Sequence, residues 1–257
     1  MRKHIPNIIT LCNLTCGCIA VRFAFADRYG TALCFIIAGA IFDFFDGFAA
    51  RKLKVSSPVG VELDSLADVI TFGLAPAAMM FSLITTYIHN YAIQTDLILA
   101  DSWIKYINIA ALLVAAFSAL RLAKFNVDKR QTTSFIGLPT PANALLISSI
   151  VITLNNHTDW LMTISGNAIS PYLIGIITLC AISVVSSILL VAEIPLFALK
   201  FKNFSLKDNS VRYIFLLSSA VILAIFALCS LTRLIAGIGL VIVWYIILSL
   251  ATMCKSK

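Results

Sequence analysis

Asp43-Phe44-Phe45-Asp46-Gly47-Phe48-Ala49-Ala50-Arg51 continues, eight residues later, into Gly60-Val61-Glu62-Leu63-Asp64-Ser65-Leu66-Ala67-Asp68. The aspartates Asp43, Asp46, Asp64 and Asp68 stand in strongly apolar surroundings. A carboxylate near lipid is costly unless a cation or a water-filled cavity receives it. This grouping therefore predicts a site that holds divalent metal. Asp43 and Asp46 are spaced i, i+3 and Asp64 and Asp68 i, i+4, so each pair shares one face of a helix. Ser57 suits the N-cap and Pro58 the first position of the second helix. The short connection from Arg51 to Ser57 predicts antiparallel neighbouring helices whose acidic faces meet. Asp43 precedes Arg51 by about 12 Å of helix, at about 1.5 Å per residue. That depth places the site somewhat beneath the headgroup plane, open to the cytosol.

The rest of the chain supplies the membrane. Of 257 residues, 60% are hydrophobic and 12% charged, against roughly 25% charged in soluble domains. Apolar runs of about 20 residues recur, the length that crosses about 30 Å of hydrocarbon. They predict an all-α polytopic integral membrane protein with about eight transmembrane helices. The expected spans are Pro6–Ala26, Ala32–Ala50, Pro58–Ile88, Trp103–Phe125, Leu138–Leu154, Ile169–Val191, Val211–Ser230 and Leu234–Met253. No linker is long enough to separate soluble domains, so residues 1–257 read as a single membrane domain. Pro76, Pro139, Pro141 and Pro195 are expected to kink or end helices.

Charge sets the orientation. Arg2, Lys3, Arg51, Lys52, Lys54, Lys124, Lys129, Arg130, Lys200, Lys202, Lys207, Arg212, Lys255 and Lys257 fall on one side, against Arg28, Lys105 and Arg233 on the other. The crowded side is expected to be cytoplasmic, with both termini inside. The net charge of +7 follows from this bias and attracts anionic headgroups. Its spread over separate loops argues against nucleic acid as a partner. The seven cysteines contain no Cys-x-x-Cys pair and read as reduced packing residues. The N-terminal stretch resembles a signal peptide, but Pro6, Asn7, Asn13 and Arg22 interrupt it, so a retained first helix is expected. The glycosylation-like triplets at Asn13, Asn156 and Asn203 read as chance.

Carboxylate oxygens suit magnesium or manganese, and no nearby His or Cys points to zinc. Two such ions would offset the mutual repulsion of the acids and would fit a diphosphate, by bridging its oxygens. Gly47 and Gly60 permit close backbone approach, and Arg51 can bind phosphate bidentately. The competing readings are interhelical salt bridges, such as Asp43 with Arg51, or the cation ligands of a transporter.

The spacing Asp-x-x-Asp-Gly-x-x-Ala-Arg, eight residues, Gly-x-x-x-Asp-x-x-x-Asp resembles the signature of the CDP-alcohol phosphatidyltransferase family, without departure from Asp43 to Asp68. The resemblance implies that family's fold and homodimeric assembly, and transfer of a phosphatidyl group from a CDP-linked lipid to an alcohol with release of CMP. It implies that Asp43, Asp46 and Asp64 hold metal, and that Asp68 binds metal or acts as base toward the incoming hydroxyl. Gly47, Ala50, Arg51 and Gly60 would shape the nucleotide and diphosphate site.

Further segments resemble the phosphatidylserine synthase branch of that family. They are Ile5–Leu14, Asp64–Pro76, Arg121-Leu122-Ala123-Lys124-Phe125-Asn126 and Phe135-Ile136-Gly137-Leu138-Pro139-Thr140-Pro141. This implies CDP-diacylglycerol and L-serine as substrates; glycerol phosphate and inositol phosphate are the other acceptors weighed. Free serine carries a carboxylate that Arg121 and Lys124 would receive, unless both merely anchor the cytoplasmic end of their span. Asn7, Thr10 and Asn13 share a helix face and either contact the nucleotide or satisfy one another. Arg22 reads as snorkelling to the interface, and Glu193 has no assigned role.

Overall fold

The computed structural model describes residues 4–55, 57–96, 103–127, 135–157, 170–197 and 209–255. Of the charges used for orientation, Arg2, Lys3, Lys129, Arg130, Lys200, Lys202, Lys207 and Lys257 lie outside them, as does Asn203.

The chain is a helical bundle. Helix α1 spans Ile5–Ala24, α2 Tyr29–Leu53, α3 Pro58–Asp68 and α4 Ala75–Thr95. A π-helical segment, Val69–Leu74, joins α3 to α4 without a break. A 3-10 segment, Trp103–Leu112, leads into α5, Leu113–Val127. Then come α6 (Thr140–Asn156), α7 (Pro171–Val191), α8 (Ser210–Cys229) and α9 (Leu231–Lys255). Two short strands, β1 (Phe135–Ile136) and β2 (Pro195–Leu196), pair antiparallel.

Seven helical rods among the described residues are long and apolar enough to cross a membrane. The expected eighth, α6, has 17 residues, the lower limit of a spanning length. The third expected span is longer than the hydropathy suggested: Pro58–Thr95 runs 38 residues. Pro76 does not end it. It falls in the first turn of α4, directly after the wider π turns, where the ladder is already rearranged and the missing donor is tolerated.

The centre of the bundle is α4, whose Met79, Met80, Leu83, Ile84 and Tyr87 are fully enclosed. It packs on α1, α6, α7 and the 3-10 segment. With lipid outside, tight association rests on small residues rather than on expelling water. One instance positions the acids. Thr71, in the π segment, nests against Gly17 of α1 and Gly39 of α2, where a Cβ atom would stand 2.4 Å and 2.5 Å from its side chain. The Thr71 hydroxyl donates to the Asn13 carbonyl at 3.1 Å.

A second, smaller apolar cluster gathers Leu138, Leu196, Phe215 and Tyr245. There α9 and the strand pair brace the entry to α6. The Gly137 amide donates to Ile194 O at 3.0 Å and the Leu138 amide to Leu189 O at 3.0 Å. Gly137 has φ +77, and a Cβ there would lie 2.6 Å from Leu190 O; only glycine fits both conditions. Cys12, Cys16, Cys18, Cys34, Cys180 and Cys229 are free.

Candidate active site

Asp43 and Asp46 sit in the last turns of α2, and Asp64 and Asp68 on α3. As expected, Ser57 caps α3, its Oγ accepting from the Gly60 amide at 3.0 Å, and Pro58 opens the helix. Oxygens of Asp43, Asp64 and Asp68 all come within 4.8 Å of one another. The Asp64 Oδ1 atom is buried without a hydrogen-bond partner. Three converging carboxylates, one with an orphaned oxygen, make a hard donor set that fits magnesium or manganese. Asp43 and Arg51 form no ion pair; the guanidinium instead folds back over Gly47, its nitrogen 3.4 Å from where a Cβ would be.

As expected, the acidic faces of α2 and α3 meet, their carboxylate oxygens standing within 4.8 Å. The two helix backbones make little contact with each other, and α1 packs against both. Gly17 of α1 and Gly39 of α2 both seat against Thr71 of the π segment. Thus the face carrying Asn7, Thr10 and Asn13 becomes the third wall. The Thr10 hydroxyl donates to Asp46 Oδ2 at 2.6 Å, and Asn13 Nδ2 donates to Asp68 Oδ1 at 3.2 Å. Asp46 is thereby held beside the three-carboxylate group rather than inside it.

Next to the acids opens a cavity of about 980 Å³, lined by Asp46, Asp64 and, among others, Asn7, Thr10, Gly47, Ala50, Arg51 and Gly60. All six residues expected at the nucleotide and diphosphate therefore share one cavity. His4 and Lys54 also line it. Lys54 ends α2 in the left-handed conformation, φ 52. Neither was singled out from sequence, although Lys54 stands only three residues beyond Arg51. An apolar cleft of about 310 Å³ lies on the other flank of α2, walled by Ile37, Ile41, Phe44, Phe45, Phe72 and Leu145.

The two cations expected at the acceptor separate. Arg121 is buried within electrostatic reach of Asp68 and donates to Thr140 Oγ1 at 3.2 Å. Its guanidinium also lies over the Phe125 ring, 5.6 Å from the centroid. Lys124 is exposed on α5. Around Arg121 the sequence reading missed Ser118, Thr140 and Asn143, all buried. Their signal was polar residues three apart in apolar runs, on α5 and on α6.

A family model for CDP-alcohol phosphatidyltransferase matches residues 3–172. The chain is similar to proteins named CDP-diacylglycerol–serine O-phosphatidyltransferase. The one from Bacillus subtilis is 36% identical over 60% of this chain and 78% of its own length. That from Helicobacter pylori strain J99 is 33% identical over 71% and 70%. The one from Mycobacterium tuberculosis strain H37Rv is 28% identical over 97% and 76%.

Proposed function

The chain belongs to the CDP-alcohol phosphatidyltransferase family, and from that premise we propose that it transfers the phosphatidyl group of CDP-diacylglycerol to L-serine, giving phosphatidylserine and CMP. It is an integral membrane enzyme. The observation that carries the reading is the convergence of Asp43, Asp64 and Asp68 on the wall of a cavity lined by Gly47, Ala50, Arg51 and Gly60. The named relatives favour serine over glycerol phosphate or inositol phosphate.

Asp43, Asp46, Asp64 and Asp68 would hold two divalent cations, Mg²⁺ or Mn²⁺, which when bound neutralise charge on the diphosphate. Arg51 and Lys54 receive phosphate oxygens, and Asn7 and Thr10 border the nucleoside. The apolar cleft beside Phe44 and Phe45 takes an acyl chain entering from the bilayer. Asp68 accepts the proton of the serine hydroxyl. The serine oxygen bonds to the phosphatidyl phosphorus, the bond to the bridging oxygen breaks, and CMP leaves with that oxygen. Arg121 faces the serine carboxylate, with Lys124 at the entrance. Residues 1–257 form one catalytic membrane domain that pairs as a homodimer, with the active site and both termini cytoplasmic, as the basic loops support.

The test is CMP release by the purified protein with CDP-diacylglycerol and a panel of serine, glycerol phosphate and inositol phosphate, with and without added Mg²⁺ or Mn²⁺. Turnover with serine alone, lost on chelation and restored by metal, is expected. Turnover with glycerol phosphate but not serine rejects the acceptor; turnover after complete chelation rejects the metal.

A further inference from the structure

Along the faces of α5 and α6 that Arg121 and Thr140 join are polar side chains that the bundle does not satisfy. Asn143 is 0% exposed, and both its amide nitrogen and its amide oxygen lack any hydrogen-bond partner. Arg121 Nε and Ser118 Oγ are buried and equally unpartnered. A buried donor or acceptor left unmade is costly, so each of these calls for an explanation. Ser118 and Arg121 are spaced i, i+3 on α5, and Thr140 and Asn143 i, i+3 on α6, so each pair shares a face. Arg121 joins the two faces through Thr140. Both helices pack on the π segment that follows Asp68, while making little contact with each other.

We infer that Asn143 is an acceptor-binding residue that reads the α-amino and α-carboxylate groups of a free amino acid, using the orphaned ends of its amide. The amide N–H donates to the carboxylate, beside the Arg121 guanidinium, and the amide oxygen accepts from the ammonium. The hydroxyl then projects toward Asp68. A neutral amide offering one donor face and one acceptor face matches a zwitterion. A phosphomonoester, with acceptor oxygens only, leaves the amide oxygen unpaired. This rests on the serine reading above and adds the residue that enforces it.

The test is steady-state titration of serine and of CDP-diacylglycerol with the full chain, with thermal melting in parallel. Asn143→Leu keeps the volume and removes the two orphans. It is expected to raise the serine KM at least tenfold, to leave the CDP-diacylglycerol KM within twofold, and not to lower the melting temperature. Asn143→Asp, which sets a carboxylate against a carboxylate, is expected to raise the serine KM at least as much and serves if the Leu variant does not fold. A wild-type protein that uses serine, with either folded variant keeping the serine KM within twofold, overturns this inference alone. So does a variant in which both KM values rise together and the melting temperature falls, since that is a structural role. A wild-type protein that releases no CMP with serine overturns the acceptor reading and this inference together.

Discussion

Asp68 is the residue on which chemistry and packing meet. It is 9% exposed, receives the Asn13 amide and belongs to the three-carboxylate group. Asp68→Asn keeps the shape and removes the carboxylate proposed as base; CMP release is expected to fall about 10²- to 10⁴-fold, the usual worth of a positioned proton acceptor. Thr10→Val is nearly isosteric but loses the donor to Asp46. A hydrogen bond to a charged group is worth about 1.5–3 kcal/mol, so kcat/KM for CDP-diacylglycerol is expected to drop roughly 10- to 100-fold. A loss confined to serine KM would contradict the placement of Thr10 on the nucleotide side. The acids were readable from the chain because they break an apolar run at helical spacing. Asn13 was readable only as an open alternative and Asn143 was not singled out, because a lone amide in a membrane helix has the same pattern whether it binds a ligand or a neighbour. The position of α1 gives Asn13 its partner, Asp68.

At the level of elements, the π segment decides where Asp68 points relative to α4. The nest around Thr71 predicts a stability contrast. Gly17→Ala meets Thr71 backbone at 2.9 Å, an overpacking worth about 1–3 kcal/mol, and should lower the melting temperature by roughly 2–12 °C. Gly30→Ala, with nothing within 4 Å, should leave it unchanged; equal melting of the two variants would deny the nest its role. Hydropathy placed nearly every span, since spanning length is a property of the run itself. The π turns escaped it, because VITFGL reads as ordinary apolar helix and the widening arises from how Thr71 must seat between two glycines. For the same reason the packing of α1 against both acidic helices was invisible: it involves glycines 22 residues apart.

On the scale of the whole molecule, the bias of basic residues predicts that the acids, the cavity and both termini share one side of the bilayer. Reporter fusions at each end should both score cytoplasmic; opposite scores would undo the orientation, and the side from which nucleotide arrives. The family model ends at residue 172, yet the first turn of α6 is moored to Leu189 and Ile194 through Leu138 and Gly137. Substrate preference is therefore open to evolutionary drift in a stretch beyond the family match. Transplanting the C-terminal helices from a relative that uses another alcohol should import part of that relative's selectivity, with every aspartate left in place.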